Sequence, residues 1–228
     1  MSGPFFFGDA MVFLNPVDDM VHAHRSRTGS FEPEAMRQWY RICDDVDKHY
    51  VADIGAYTGL YAIGANLLGC DAWAYEPHAA NFHRLIQNCE ANQARVHCCP
   101  YALGCPQNGH SYSAFAYNPG VPLTSGGGIK GGAHYAPVKA HQNTVQVNVY
   151  ALDAMAPSHG FDAMKIDVEG AELDVLRGAQ KILHLNRPDI ILECLTDSAR
   201  KDIGEFLSGF GYTGQQLDDR NHFFQSEA

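Results

Sequence analysis

The sequence predicts an α/β domain of three layers, with a mostly parallel central sheet and helices on both faces. Three observations predict it. Short apolar stretches rich in β-formers alternate with helix-period stretches, giving β-α-β-α-β between residues 50 and 103. The first of those strands, Tyr50 to Ile54, runs into a tight turn with glycine at 55 and 59 and then into a helix. The chain of 228 residues is 46% apolar and 18% charged, which suits one domain with a sizeable core. Crossovers between its parallel strands should be right-handed.

Residues 1–31 mix Gly, Pro, Asp and His with three consecutive phenylalanines, Phe5 to Phe7. They predict an irregular N-terminal arm with a short strand at Ala10 to Leu14, its aromatics capping the core. The domain proper then runs over 32–228. Glu32-Pro33-Glu34 opens a helix, with proline in the first turn and acids at the positive end of the dipole. Met36, Trp39, Tyr40 and Cys43 give that helix its apolar stripe. Leu60 to Leu68 is the helix after the glycine turn. Residues 72–76 form the second strand, ending at Glu76-Pro77. Phe82, Leu85, Ile86 and Cys89 mark a helix over Asn81 to Asn92, and Val96 to Cys99 a third strand.

Residues 118–137 carry glycines at 120, 126, 127, 128, 131 and 132, too many for regular structure, and predict a flexible insertion. Val145, Val147 and Val149 alternate as in a half-buried strand. Met164 to Val168 is the next sheet strand. Ala171 to Leu185 is one helix, stopped by Arg187-Pro188. Asp189 to Cys194 is a strand, Phe206 to Phe210 close a last helix, and Asn221 to Gln225 form a terminal strand.

A net charge of −10 and the absence of any basic run argue against nucleic acid as the partner. No stretch of about 18 apolar residues is present, so no membrane span is expected. The opening Met-Ser-Gly-Pro lacks a basic n-region, so no signal peptide is expected either. Seven cysteines, an odd number without a C-x-x-C pair, predict free thiols and a cytoplasmic location. The twelve histidines are scattered, and no H-x-x-x-H or H-E-x-x-H places two on one helix face.

The chemistry starts at the glycine turn. Its spacing, G-x-x-x-G, is neither G-x-G-x-x-G nor a P-loop. Asp53, two residues before Gly55, would repel a pyrophosphate but suits a ligand with a cationic end. S-adenosyl-L-methionine carries an ammonium and a sulfonium. Glu76 ends the second strand, where a carboxylate accepts hydrogen bonds from a ribose diol. Lys165-Ile-Asp-Val-Glu-Gly-Ala-Glu172 brings Asp167, Glu169 and Glu172 to the same edge of the sheet. Clustered carboxylates raise one another's pKa, which fits a general base, a metal ligand or a cationic-ligand site. A plainer role for Glu172 is to start the following helix.

These residues together resemble the FkbM-type methyltransferases. The resemblance rests on Asp53-x-Gly-Ala-x-x-Gly59, Glu76-Pro77, the 165–172 block with Val175-Leu-Arg-Gly-Ala179, and Pro188-Asp-Ile-Ile-Leu-Glu193. Gly29-Ser30-Phe31-Glu32 extends it before the domain. The chain departs from the family pattern at Tyr57-Thr58, where Asn-Ile or Asn-Val is usual. The resemblance implies a class I, Rossmann-like methyltransferase fold, S-adenosylmethionine as cofactor, and O-methylation of a hydroxyl on a sugar or natural product. It implies that Asp53, Gly55, Ala56, Tyr57 and Gly59 hold the methionine half. Glu76 and Pro77 would hold the ribose, Tyr101 and Ala102 the adenine. Glu32 would bind the ammonium or close the site, and Asp167 and Glu169 would face the reacting end.

The base for the acceptor hydroxyl is then Asp167 or Glu169, with His134 or His141 as alternatives. Asp167 and Glu193, at adjacent strand ends, also suit Mg²⁺ with a third group, although no spacing demands a metal. Tyr112, Tyr117 and Tyr135 could stack on an acceptor ring. Two other readings compete: a non-catalytic nucleoside-binding module on the same fold, and an NAD-linked oxidoreductase, disfavoured by the missing G-x-G-x-x-G.

Overall fold

Tyr50–Ile54 pairs on both sides with parallel strands, and its four residues after Tyr50 are buried. Such a strand must be apolar on both faces, as this one is except at Asp53. The computed structural model describes residues 3–107, 110–118, 123, 127–129, 134 and 143–226. In chain order the elements are β1 (Phe5–Phe7), β2 (Ala10–Val12), α1 (Met20–Thr28), α2 (Pro33–Cys43), β3 (Tyr50–Ile54), α3 (Leu60–Leu67), β4 (Asp71–Tyr75), α4 (Ala79–Asn92), β5 (His97–Cys99) and β6 (Ala102–Leu103). There follow β7 (His110–Tyr117), β8 (Gly128–Ile129), β9 (Asn143–Tyr150), α5 (Leu152–Met155), β10 (Ala163–Ile166), α6 (Glu172–Arg177), α7 (Gln180–Leu185), β11 (Asp189–Glu193), α8 (Asp197–Ser208), β12 (Tyr212–Gln216) and β13 (Asn221–Ser226).

Seven strands form the main sheet in the order β12-β13-β11-β10-β3-β4-β5. The five from β11 to β5 are parallel, and β13 runs antiparallel to both of its neighbours. The expected α/β architecture is therefore the observed one. Strand period two sorts the sheet residues into two cores. Val51, Ala72, Ala74, Ala163 and Ile191 face a core shared with α2, α3 and α4. Ala52, Ile54, Met164, Ile166, Ile190 and Leu192 face the core of α6, α7 and α8. Asp53 lies across from Lys165 in the register, on the first of these faces.

Three expectations are corrected. Residues 3–31 hold the strand expected at Ala10 to Leu14, as β2, and buried aromatics, but the rest of the arm is more regular than expected. β1 and β2 form an antiparallel hairpin whose Phe5, Phe7 and Val12 enter the first core. A helix, α1, follows, with Asp19 accepting from His22 N at 3.1 Å at its start and Gly29 left-handed after its end. The stretch from Ala171 to Leu185 is two helices, not one. A Cβ on Gly178 would lie 2.0 Å from the Gly104 carbonyl oxygen, so the backbone of the β6 exit presses into the break. Asp153 then caps the second piece, accepting from Lys181 N and Ile182 N at 2.8 and 3.0 Å. Finally, His110–Tyr117 is a strand that pairs along its whole length with β9, extending a small second sheet of order β6-β9-β7-β8. β8 falls inside the glycine-rich stretch, pairing Gly128 and Ile129 with Ala116 and Phe115. Most of 118–137 lies outside the described residues. Among the described residues, no helix is long and apolar enough to cross a membrane.

Candidate active site at the carboxyl edge of the sheet

At the end of β3 the chain turns at once. Gly55 N and Ala56 N both donate to Tyr75 O, at 2.9 and 3.0 Å, tying the turn to the end of β4. Gly55 has φ +83°, and a Cβ there would lie 1.8 Å from the Asp167 carbonyl oxygen. Only glycine lets the exits of β3 and β10 run this close. Tyr57 and Gly59 are also left-handed, and Gly59 N returns to Ala56 O at 2.8 Å. Tyr57, where the chain departs from the family pattern, reaches out of the turn: its hydroxyl accepts from Met20 N at 3.1 Å. Beside it, Thr58 Oγ1 donates to Asp19 Oδ2 at 2.8 Å. The turn and the start of α1 are thereby fastened together.

Asp53 is buried and accepts from Ala62 N at 3.0 Å, in the first turn of α3. Burial lifts its carboxyl to about 7, against the pull of Lys165 and of that amide. Glu76 is buried too. Its Oε2 accepts from Tyr57 N at 3.0 Å and its Oε1 from His78 N at 2.8 Å. Burial lifts Glu76 to about 7, opposed by those two amides and by Asn81. Glu76 Oε1 also accepts from Asn81 Nδ2 at 3.4 Å, while Glu76 Oε2 keeps a lone pair beyond its bond to Tyr57 N.

The β10 and β11 exits carry a charge cluster. Lys165 is 1% exposed, with Nζ 3.4 Å from Asp167 Oδ2 and 5.2 Å from the centre of the Tyr61 ring. Burial alone would depress this ammonium. Asp167, Glu32, Glu193 and Asp53 outweigh it and hold Lys165 charged. Tyr61 donates its hydroxyl to Glu32 Oε2 at 2.6 Å, and Arg220 Nη2 lies 2.9 Å from Glu193 Oε1. Burial, with Asp167 and Glu169 adding, pushes Glu193 well above the ordinary carboxylate range.

A cavity of about 590 Å³ opens along this edge, within the usual range for small-molecule sites. Its wall includes Glu32, Asp53, Gly55, Ala56, Tyr57, Glu76, Pro77, Tyr101, Ala102, Asp167 and Glu169. Gly59, expected among them, stands back from the wall. It shapes the turn instead, packed against Leu85 and Ile63. Glu172 is also not brought to the cavity. It is fully buried, accepting from Val168 N and Gly170 N at 3.1 Å, and it starts α6. His134 lies outside the wall, with Nε2 2.9 Å from Asp202 Oδ2. His141 and Tyr135 lie outside the described residues. Tyr117 packs 5.1 Å from the His78 ring rather than on the wall.

Four contributors escaped the sequence reading: Lys165 as a buried charge, Tyr61, Arg220, and the small sheet, which supplies Phe115, Gly128 and Ile129 to the wall. Lys165 was legible, since a lysine between Met164 and Ile166 in a buried parallel strand needs a counter-charge. Arg220 had no such signal, for it lies in the turn between β12 and β13.

The sequence matches the methyltransferase FkbM domain over residues 53–213, well over half of the chain. The chain belongs to the FkbM methyltransferase family. Members of this family take their methyl group from S-adenosyl-L-methionine. No curated protein matches the chain. Among solved structures, the methyltransferase FkbM of Methylobacillus flagellatus KT superposes with a TM-score of 0.53 at 16% identity, covering 78% of this chain. This FkbM chain spans only 44% of that structure's length. A precorrin-6y C5,15-methyltransferase from Geobacter metallireducens GS-15 gives 0.50 at 15% identity, covering 87% of this chain and 88% of that one. A ribosomal protein L11 methylase from Lactobacillus delbrueckii subsp. bulgaricus gives 0.53 at 13%, covering 85% and 77%. At such identities these likenesses show the fold alone.

Proposed function

We propose that this FkbM domain transfers the methyl group of S-adenosylmethionine to a hydroxyl of a small-molecule acceptor, a sugar or other natural product. The observation that carries the reading is one cavity wall joining the 53–57 turn, Glu76 and the Asp167–Glu169 edge. In this reading Asp53, Gly55, Ala56 and Tyr57 hold the methionine half, with Gly59 keeping the turn in shape. Glu76 and Pro77 take the ribose, Tyr101 and Ala102 the adenine, and Glu32 binds the ammonium or closes the site. The acceptor lies toward Asp167 and Glu169, in a cavity whose wall also carries His24, Arg27, Phe31, Phe115 and Ile129.

The acceptor oxygen forms a bond to the methyl carbon as the carbon–sulfur bond breaks. The bound cofactor would supply the methyl group and leave as a neutral thioether with the electron pair, while the hydroxyl proton would pass to Asp167 or Glu169. Alignment of oxygen, carbon and sulfur supplies most of the rate. An acidic chain with a concave cavity of mixed polarity favours a small acceptor over a nucleic-acid backbone. Free thiols at all seven cysteines suit a reducing compartment, and we place the reaction in the cytoplasm.

The test has two steps. S-adenosylmethionine and S-adenosylhomocysteine should raise the melting temperature and NAD should not. Incubation with a panel of sugars, phenols and aliphatic alcohols should then give a product heavier by one CH₂, read by mass spectrometry. Stabilisation without turnover on any hydroxyl would favour a nucleoside-binding module, and methylation confined to carbon or nitrogen acceptors would overturn the oxygen assignment.

A further inference from the structure

Glu32, Asp167 and Glu193 come from three separate parts of the chain, yet one carboxylate oxygen of each lies within 4.8 Å of those of the other two. Glu32 caps α2, Asp167 follows β10 and Glu193 ends β11. All three line the cavity. Each has one oxygen engaged by a neighbour that holds it in place: Tyr61 on Glu32 Oε2, Lys165 on Asp167 Oδ2 and Arg220 on Glu193 Oε1. The other oxygen of Glu193 is the telling atom. Glu193 is 3% exposed, and its Oε2 is buried with no hydrogen-bond partner among the described residues. A buried carboxylate oxygen left bare is costly, so an arrangement that keeps one demands an explanation.

Charge points the same way. Glu32, Asp53, Asp167 and Glu193 all act on Lys165, and Arg220 is the second cation of the cluster. Carboxylates outnumber the two cations there, and carboxylate oxygens held by outer hydrogen bonds are the donors hard cations take.

We propose that Glu32, Asp167 and Glu193 form a binding site for one hard divalent cation, Mg²⁺ or Mn²⁺, at the acceptor end of the cavity. The ion uses the oxygens left free by Tyr61, Lys165 and Arg220 and keeps its remaining positions for water or acceptor oxygens. The site's use rests on the methyl-transfer reading: an acceptor hydroxyl bound to the ion is easier to deprotonate, leaving Glu169 as the base. The site itself does not rest on that reading.

The test is a Mn²⁺ titration of chelator-treated, cofactor-free protein, with free Mn²⁺ followed by electron paramagnetic resonance. One equivalent should bind and be displaced by excess Mg²⁺. Binding should weaken at least about tenfold in Glu193→Gln and in Glu32→Gln, and stay unchanged in Glu205→Gln on exposed α8. Melting curves without metal check that each variant is folded. Binding that is absent, or equal in all four proteins, overturns the proposal. A parallel S-adenosylhomocysteine thermal shift keeps the two readings apart. If that shift is present but Mn²⁺ does not bind, the cation site falls and methyl transfer stands. If Glu193→Gln instead weakens S-adenosylhomocysteine alone, the cluster serves the cofactor's ammonium. If Mn²⁺ binds without any shift, the site stands and the methyl-transfer reading falls.

Discussion

Glu76 does two things with one carboxylate. It holds the turn amide of Tyr57 and offers its remaining lone pair to the cavity. Its value near 7 gives both a measurable signature. Between its ordinary value of 4.5 and about 7, the folded chain keeps a proton that the unfolded chain releases. The stability from this group is therefore full below 4.5 and lost as pH rises through about 7, roughly 3 kcal/mol over the window. Asp53, also near 7, has the same sign. Urea unfolding at pH 5 and pH 8 should show the loss, reduced in Glu76→Gln. Ligand affinity should run the other way. A ribose diol donates to the ionised carboxylate, so S-adenosylhomocysteine should bind about tenfold more tightly at pH 8 than at pH 6. In Glu76→Gln that dependence should flatten. At Gly55 the constraint is steric. Gly55→Ala sets a Cβ against the Asp167 carbonyl and strains a left-handed φ, so it should lose about 3 kcal/mol or more in the same unfolding measurement.

At the scale of elements, the notable pairing is α1 with the glycine turn. Tyr57→Phe removes the acceptor of Met20 N, and Thr58→Val removes the donor to Asp19. Each should cost about 1 kcal/mol. The effect should be local, seen as faster amide exchange at Met20 and Ala23 while Val51 and Met164 stay protected. Elements of this kind were hard to see in the sequence. β3, β4, β10 and β11 were legible because a buried parallel strand leaves an apolar run with sharp ends. α1 was not, since only Met20 and Val21 at its start are strongly apolar; Asp19 and Gly29 were its readable signs. The break at Gly178 depends on contact with Gly104, more than 70 residues away, which no local pattern encodes. The β7–β9 ribbon shows the opposite case. Tyr112, Phe115 and Tyr117 are β-formers, yet with glycines crowding 118–137 the local pattern has no partner strand beside it in the chain.

Across the whole molecule, the sheet sets Asp53, Lys165 and Glu193 on one face and one edge, so the site and the first core share a boundary. Lys165 is the keystone of that boundary. Lys165→Met would leave its carboxylates without their buried cation and should cost about 3–5 kcal/mol. For a chain this size, that is a fall of roughly 10 °C or more in melting temperature. The family was legible because it is written in short contiguous motifs, and the 53–57 turn, Glu76 and the Asp167–Glu169 edge that line the cavity stand in those motifs. The cluster of Glu32, Asp167 and Glu193 was legible only in part, because it is assembled from three distant segments. The central claim, that S-adenosylmethionine occupies this cavity with its ribose on Glu76, is tested most directly by a crystal structure of the chain with S-adenosylhomocysteine. The account predicts both ribose hydroxyls within hydrogen-bond distance of the Glu76 carboxylate and the sulfur facing Asp167 and Glu169. A nucleoside bound elsewhere, or with its ribose away from Glu76, would contradict it.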